Sequence, residues 1–456
     1  MRKGKRKRAT AVEPPQVRSD AAGIDVSPKV MYVAVDPRRD PQPVRAFSAF
    51  TDDLYQIANW LQACGVHTVA MESTGVYWIP LFQVLADEGF EVCLVNSRDY
   101  KNVPGRKTDV ADCQWLQYLH AVGLLRASFR PAQEICAVRS LLRHRASLSE
   151  AASKHVLHMH KALDQMNVQV HRVLSDVTGR SGLAILDAIL AGERNPAVLA
   201  GLRDGRVKAS EAEILRALTG DYREEHLFTL RQSLELYRQY RRMMEECNRQ
   251  IQSQLEALAD KDDSGGNVPE ATPGKQLRRG DGEDLRQLHS RILGVDLTGI
   301  PSISTATVQT IVSEVGPDFS KFRDGGAFAS WLGLCPHETI TGGKVRSSRT
   351  RKVVNRVAAA LRMAAESLSH DKSYLGQYYR RMRARIGPAE ALTAAAHKLA
   401  RIIYRLVNKR EAYNESVFAE IEQRHARRQR LWLSKQAQRY GYILTPVPGD
   451  QAGVVS

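Results

Sequence analysis

Cysteine is sparse and never paired: Cys64, Cys93, Cys113, Cys136, Cys247 and Cys335 are scattered over 456 residues with no CxxC. That spacing disfavours a zinc knuckle and a disulfide framework and leaves buried free thiols as the expected state. No apolar run reaches the length of a membrane span, and the opening MRKGKRKRATAVEPP has no apolar middle of the kind a secretory signal needs. No membrane partner is expected, and the chain is expected in the cytoplasm, associated with the nucleoid. Acids are in deficit: 50 Asp and Glu stand against 66 Lys and Arg, a net charge of +16. Polyanions are therefore the natural partners, nucleic acid first.

What is present divides along the chain. Residues 1–20 are basic, then Pro-containing and polar, the composition of a disordered arm that lies along phosphates or simply stays solvated. From Ala22 the pattern changes to short β-type runs, GIDVS, VMYVAVD and VRAFSAF, separated by turn residues such as RRDPQP. These predict three consecutive antiparallel strands. A helix over about 51–64, a strand HTVAME, a helix from about Val76 to Glu88, a strand EVCLVN and a helix opened by Thr108 follow. The order β-β-β-α-β-α-β-α fits a mixed α/β sheet flanked by helices, the ribonuclease H-like layout. From about Pro131 to Leu258 apolar residues recur at helical spacing, predicting long antiparallel helices or a coiled coil and self-association through them. His155, His158 and His160 lack an acidic or cysteine partner at ligand spacing and are expected in packing, not on a metal. Residues 260–287, rich in Gly, Asp and Pro, are the expected linker; a mainly helical unit over 288–412 and a basic tail over 413–456 complete the chain.

Chemistry concentrates in GRKTDVADCQWL, residues 105–116, which sets Asp109 and Asp112 one turn apart on one helix face, with Thr108 placed to cap the helix start. Alone, such a pair also suits a solvated first turn, where the helix dipole favours acids. Two further acids change the balance: Asp25 lies in the first strand and Glu72 ends the fourth, in AMESTGVYW. In the expected sheet these strands are neighbours, and the helix after the fifth strand packs back over the same end. Asp25, Glu72, Asp109 and Asp112 are thus expected to converge. Carboxylates so crowded repel one another unless a divalent cation lies between them, and an all-oxygen site selects Mg2+ or Mn2+. A pair of such ions can stabilise the attacking and leaving oxygens of a phosphodiester displacement. The competing reading is an inert acidic strand end. Tyr77 and Trp78, beside Glu72, are expected to pack on the sheet rather than stack on bases.

In the second half, LTGIPSISTATVQTIVSEVG places a Gly/Pro/Ser turn at a helix start, a weak phosphate-binding signal. Thr341 then precedes Gly342 and Gly343, and Lys344, Arg346, Arg349, Arg351 and Lys352 follow over a short span. A hydroxyl beside a glycine pair and a dense basic loop can hold a phosphate against a nucleophile, or bind it without chemistry. Ser347 and Ser348 are alternative hydroxyls, and His397, in an alanine-rich helix, is expected to be structural.

GIDVS, MESTGVYW and GRKTDVADCQWL, then IPSIS, FASWLGLCP, TGGK and RKVVNRVAAALR, in this order and spacing, resemble the DEDD transposases of insertion sequence family 110 over about 21–412. The resemblance implies a RuvC-like nuclease domain over 21–130, a helical coiled-coil section over 131–259 and a C-terminal transposase domain over 288–412. It implies that Asp25, Glu72, Asp109 and Asp112 bind Mg2+. It further implies that a serine of the C-terminal domain attacks DNA to form a covalent intermediate, as in serine recombinases, with acids and serine drawn from different subunits of a homo-oligomer, a dimer or tetramer. A structured non-coding RNA is implied as the guide to donor and target DNA. Where the family places that serine this chain has Thr341, whose extra methyl restricts χ1 and crowds an in-line approach. The expected function is a Mg2+-dependent, RNA-guided DNA recombinase. The alternatives are a metal-dependent structure-specific nuclease in which water attacks, and a catalytically silent nucleic-acid-binding relative.

Overall fold

The computed structural model describes residues 15–96, 109–261, 282–337, 339–342, 344–347, 349–351, 353–443 and 445. The chain divides into two units, Met1–Arg130 and Pro131–Ser456.

In the first unit, β1 (Ala21–Val26), β2 (Val30–Ala34) and β3 (Val44–Ser48) form an antiparallel meander. Beyond α1 (Thr51–Ala63), β4 (Thr68–Glu72) joins β1 in parallel, and after α2 (Trp78–Asp87), β5 (Glu91–Val95) joins β4. The sheet order is β3-β2-β1-β4-β5, and α3 (Asp109–Ala121) follows. The central strands are covered on both faces, which is why AAGIDV and TVAME read as continuous apolar runs rather than alternating ones. On one face Ile24, Val69 and Met71 pack with Leu54, Ile57 and Leu61 of α1 and Leu81 and Leu85 of α2. On the other, Ala70, Cys93 and Val95 meet Leu116 and Leu119 of α3. Each fully buried Leu or Ile here contributes about 1.5–3 kcal/mol. The amides of Val17 and Arg18 donate to the Ala121 carbonyl at 2.8 and 2.9 Å, so the end of the expected basic arm belongs to the fold. Residues 1–14, and the expected cap Thr108, lie outside the described residues.

The second unit is mostly helical. Its longest helices are α4 (Gln133–Gln165) and, after the short α5 (Val170–Val173), α6 (Arg180–Leu190), α7 (Pro196–Gly201) and α8 (Glu211–Ala217), α9 (Glu224–Lys261). Arg145 of α4 donates to Asn248 of α9 and His155 stacks on Tyr240, so the two helices run antiparallel along each other. Met159, Leu163 and Met166 meet Ile185, Ile189 and Leu230 in the core at one end of this pair. The histidines are absorbed into ring packing, His155 on Tyr240 and His160 on His171, with centroids 5.5 and 4.8 Å apart.

The stretch expected as a linker over 260–287 is helical at both ends: α9 reaches Lys261 and α10 (Gly282–Leu293) opens well before 287. Residues 262–281 lie outside the described residues. Next come α11 (Thr305–Glu314) and α12 (Gly325–Trp331), then the hairpin β6 (Thr339–Thr341) and β7 (Lys344–Ser347), and then α13 (Arg356–Ser367), α14 (Tyr374–Ile386), α15 (Pro388–Lys409) and α16 (Ala419–Arg439). Arg139 and Arg143 of α4 hold the C-terminal end of α11, donating to the Ser313 and Glu314 carbonyls and the Glu314 carboxylate. The small residues of α15, Ala391, Ala395, Ala396 and Ala400, are fully buried, and α15 packs against α12, α13 and α14.

Candidate functional site

The acidic group is built by strand register. Ile24 of β1 is paired with Met71 of β4, and one step further along the parallel strands stand Asp25 and Glu72. In-register parallel neighbours share a side-chain direction, and the period of two puts both acids on the face of Gly23 and Ala70, the face covered by α3. Gly23 sets how closely that helix approaches: a Cβ there would stand 2.2 Å from the Gln117 amide nitrogen and 2.3 Å from the Cys113 carbonyl oxygen. Only glycine accommodates the α3 backbone at this distance. The first turn of α3 is thereby brought to Asp25. Burial first, and then the nearby Asp25 and Asp112 carboxylates, push the Cys113 thiol up to about 12.

The four expected acids differ in setting. Glu72 is only 2% exposed and accepts a hydrogen bond from the Thr74 hydroxyl. Asp25 and Asp112 are half-buried, and Asp109, the first residue of α3, is exposed. Asp25 is thus brought beside Glu72 by register and toward Asp112 by helix docking, while Asp109 lies one turn before Asp112 on the solvent side. Among the described residues no group of three or more His, Cys, Asp or Glu side chains is gathered closely enough to hold a metal ion. The residue types suit a hard cation, since the side chains that strand register and the docking of α3 bring to this part of the unit are carboxylates and Glu72 is buried.

The residues beside Glu72 behave as expected in part. Ser73 ties the turn to β5, its amide and hydroxyl both donating to the Val95 carbonyl, at 2.9 and 3.0 Å. Trp78 packs edge-on to Phe82 with the Arg130 guanidinium over both rings, whereas Tyr77 is 44% exposed.

In the second unit the basic run opens on a hairpin strand, Lys344–Ser347, and Arg349 and Arg351 lie beyond it. Thr341 pairs with Lys344 across a two-residue connection, and Thr339 faces Ser347. Gly342 has φ +57° with open space where a Cβ would be, the left-handed conformation a tight hairpin turn requires. Thr341 is exposed and its side chain hydrogen-bonds to nothing among the described residues. Ser347 is half-buried, and its hydroxyl accepts from the Arg349 amide at 3.3 Å. Arg346 and Arg349 are exposed. Arg351, expected on phosphate, turns instead to α12, donating to the Ser330 carbonyl at 2.7 Å and its hydroxyl at 3.3 Å. Ser348 and Lys352 lie outside the described residues. The Gly/Pro/Ser turn before α11 is a cap: the Ser304 hydroxyl accepts from the Thr307 amide.

Two family models match the chain. One, a DEDD transposase of IS110 type, described as Transposase, covers residues 22–168; the other, described as Transposase IS116/IS110/IS902 family, covers residues 296–380. The first spans all four acids and the second spans Thr341 and its hairpin. A curated relative, "Putative transposase y4pF/y4sB" of Sinorhizobium fredii (strain NBRC 101917 / NGR234), is 27% identical over 187 residues, 36% of this chain. The matched stretch spans about half the length of that relative, 46%.

Proposed function

We propose that this chain, which belongs to the IS110 family of transposases, cuts and rejoins DNA through carboxylate-held divalent metal in its first unit and a hydroxyl in its second. The observation that carries the reading is the parallel β1–β4 register, whose Ile24–Met71 pair is followed on each strand by an acid, Asp25 and Glu72, under a helix that Gly23 lets in against β1. The strand order β3-β2-β1-β4-β5 supports a ribonuclease H-like, RuvC-like assignment for this unit. Asp25, Glu72 and Asp112, with Asp109, would hold Mg2+ or Mn2+, which supplies Lewis-acid stabilisation of charge developing on the phosphodiester oxygens.

The chain's own groups divide the remaining work. Thr341 Oγ loses its proton, forms a bond to phosphorus and expels a sugar oxygen, which leaves protonated; the DNA end stays covalently on the protein until a second hydroxyl reverses the step. Arg346 and Arg349, exposed near the hairpin, bind the flanking phosphates. Arg351 acts through position, anchoring the hairpin's outgoing chain to Ser330. We assign the second unit, by the same reading, to a helical section over 131–259 and a transposase domain over 288–412. No helix among the described residues is long and apolar enough to cross a membrane, which suits a protein acting on DNA in the cytoplasm or on the nucleoid. The net charge of +16 suits both DNA and a structured guide RNA. Exposed Leu157 on α4 and Phe228 and Leu236 on α9 supply apolar surface for a homo-oligomer.

A second reading, favoured by threonine standing where the family has serine, is a nuclease in which water attacks and Thr341 only contacts phosphate. A denaturing gel separates the two. Wild type is expected to give a protein–DNA adduct that disappears in Thr341→Ala and persists in Ser347→Ala. Cleavage without adduct, abolished by Asp25→Ala, would establish the nuclease instead, and binding with neither product a silent relative.

A further inference from the structure

A cavity of about 820 Å³ lies in the second unit, lined by Tyr378 of α14, His397, Lys398 and Arg401 of α15, and Tyr413 and Phe418 beyond it. Its size falls within the roughly 300–1,000 Å³ typical of ligand pockets. Lys398 sits among aromatic faces, its Nζ 4.5 Å from the Tyr374 ring, 4.4 Å from Tyr378 and 5.3 Å from Phe418, and donates to the Tyr374 hydroxyl at 2.8 Å. Arg381 lies over the same Tyr374 ring, 5.8 Å from its centroid. Burial, and then Arg381 and Arg401, lower the Lys398 ammonium to about 8.

Three cations thus crowd one place, and among the described residues none of Lys398, Arg381 or Arg401 is ion-paired with a carboxylate. Glu411, the acid in the cavity wall, is bound by Arg405 and Lys409, at 3.4 and 3.9 Å. Two polar atoms are also left over: the Tyr413 hydroxyl and one Arg381 guanidinium nitrogen are buried with no hydrogen-bond partner among the described residues. Like charges and orphaned donors gathered beside ring faces are unfavourable as they stand. An anion joined to a flat aromatic group would relieve both, and a nucleotide is that combination: aromatic side chains stack bases without regard to sequence while cations take the phosphate.

We propose that this cavity seats one unpaired nucleotide of a nucleic acid, its phosphate on Lys398 and Arg401 and its base against the Tyr378, Tyr413 and Phe418 rings. The site rests on this chain handling nucleic acid, but seating a nucleotide requires no strand cleavage, so failure of the Thr341 chemistry leaves it standing. Short oligothymidylate and oligouridylate, each carrying one iodinated pyrimidine, are bound to the full chain and irradiated, and the cross-linked peptide is sequenced. The expected cross-link is at Tyr378, Tyr413 or Phe418, and the oligomer that gives it identifies the strand as DNA or RNA. Lys398→Met and Arg401→Gln, the latter at an exposed position, are each expected to weaken single-strand binding about tenfold and to leave duplex binding unchanged. Cross-links confined to other segments, or single-strand affinities of both variants within about twofold of wild type, would overturn the assignment.

Discussion

Asp25→Asn is expected to reduce DNA strand cleavage by about a thousandfold while the protein melts at the wild-type temperature. The amide matches the carboxylate in shape, so the half-buried site is kept, but one of the two acids placed side by side by the β1–β4 register loses its charge. Metal-centred stabilisation of a phosphodiester transition state is worth several kcal/mol, and a loss of about 4 kcal/mol corresponds to about three powers of ten in rate. Chelation of divalent metal should abolish wild-type cleavage to the same extent. Asp25→Asn cleaving at the wild-type rate, measured with end-labelled DNA on a denaturing gel, would remove the acids from the chemistry.

Gly23→Ala is expected to be nearly as damaging, by a different route. The added Cβ meets backbone, 2.2 Å from the Gln117 nitrogen, 2.3 Å from the Cys113 oxygen and 2.9 Å from the Gln117 Cα, so no side chain can swing aside. Either β1 or α3 must shift, at about 3 kcal/mol or more. Because α3 carries Asp109 and Asp112, its displacement moves both relative to β1 and Asp25. Thermal melting should show a lowered transition for the first unit, and cleavage should fall even below the temperature at which it melts. A variant that melts and cleaves like wild type would mean that α3 does not rest on β1 as described.

The strands that carry Asp25 and Glu72 were legible because they follow from two simple regularities. Short β-type runs with turns between them located β1 and β4, and the period-two geometry of parallel neighbours puts Asp25 and Glu72 on one face of the sheet, one step past the Ile24–Met71 pair. Gly23, one residue in the small-residue run AAGIDV, gives no such signal; its role depends on the closeness of a helix that begins more than eighty residues later, which no local pattern encodes. The hairpin strand leaves little trace in the sequence, because KVRS is only four residues long and its alternation is hidden under the density of charge. The Thr-Gly-Gly-Lys turn was the available signal. The start of α10 does not stand out in the sequence, because its charged opening, GEDLRQ, continues the polar composition before it and its apolar stripe emerges only at Leu285 and Leu288. The Lys398 cavity had no sequence signature, since Tyr374, Tyr378, Tyr413 and Phe418 come together only when α14, α15 and the chain beyond them fold.

Paramagnetic titration with Mn2+ reads the acids directly, without DNA or turnover. The intact chain is expected to take up the ion saturably, Glu72→Gln to lose that uptake, and Thr341→Ala to keep it. Uptake by Glu72→Gln indistinguishable from wild type would contradict a shared cation at the ends of β1 and β4.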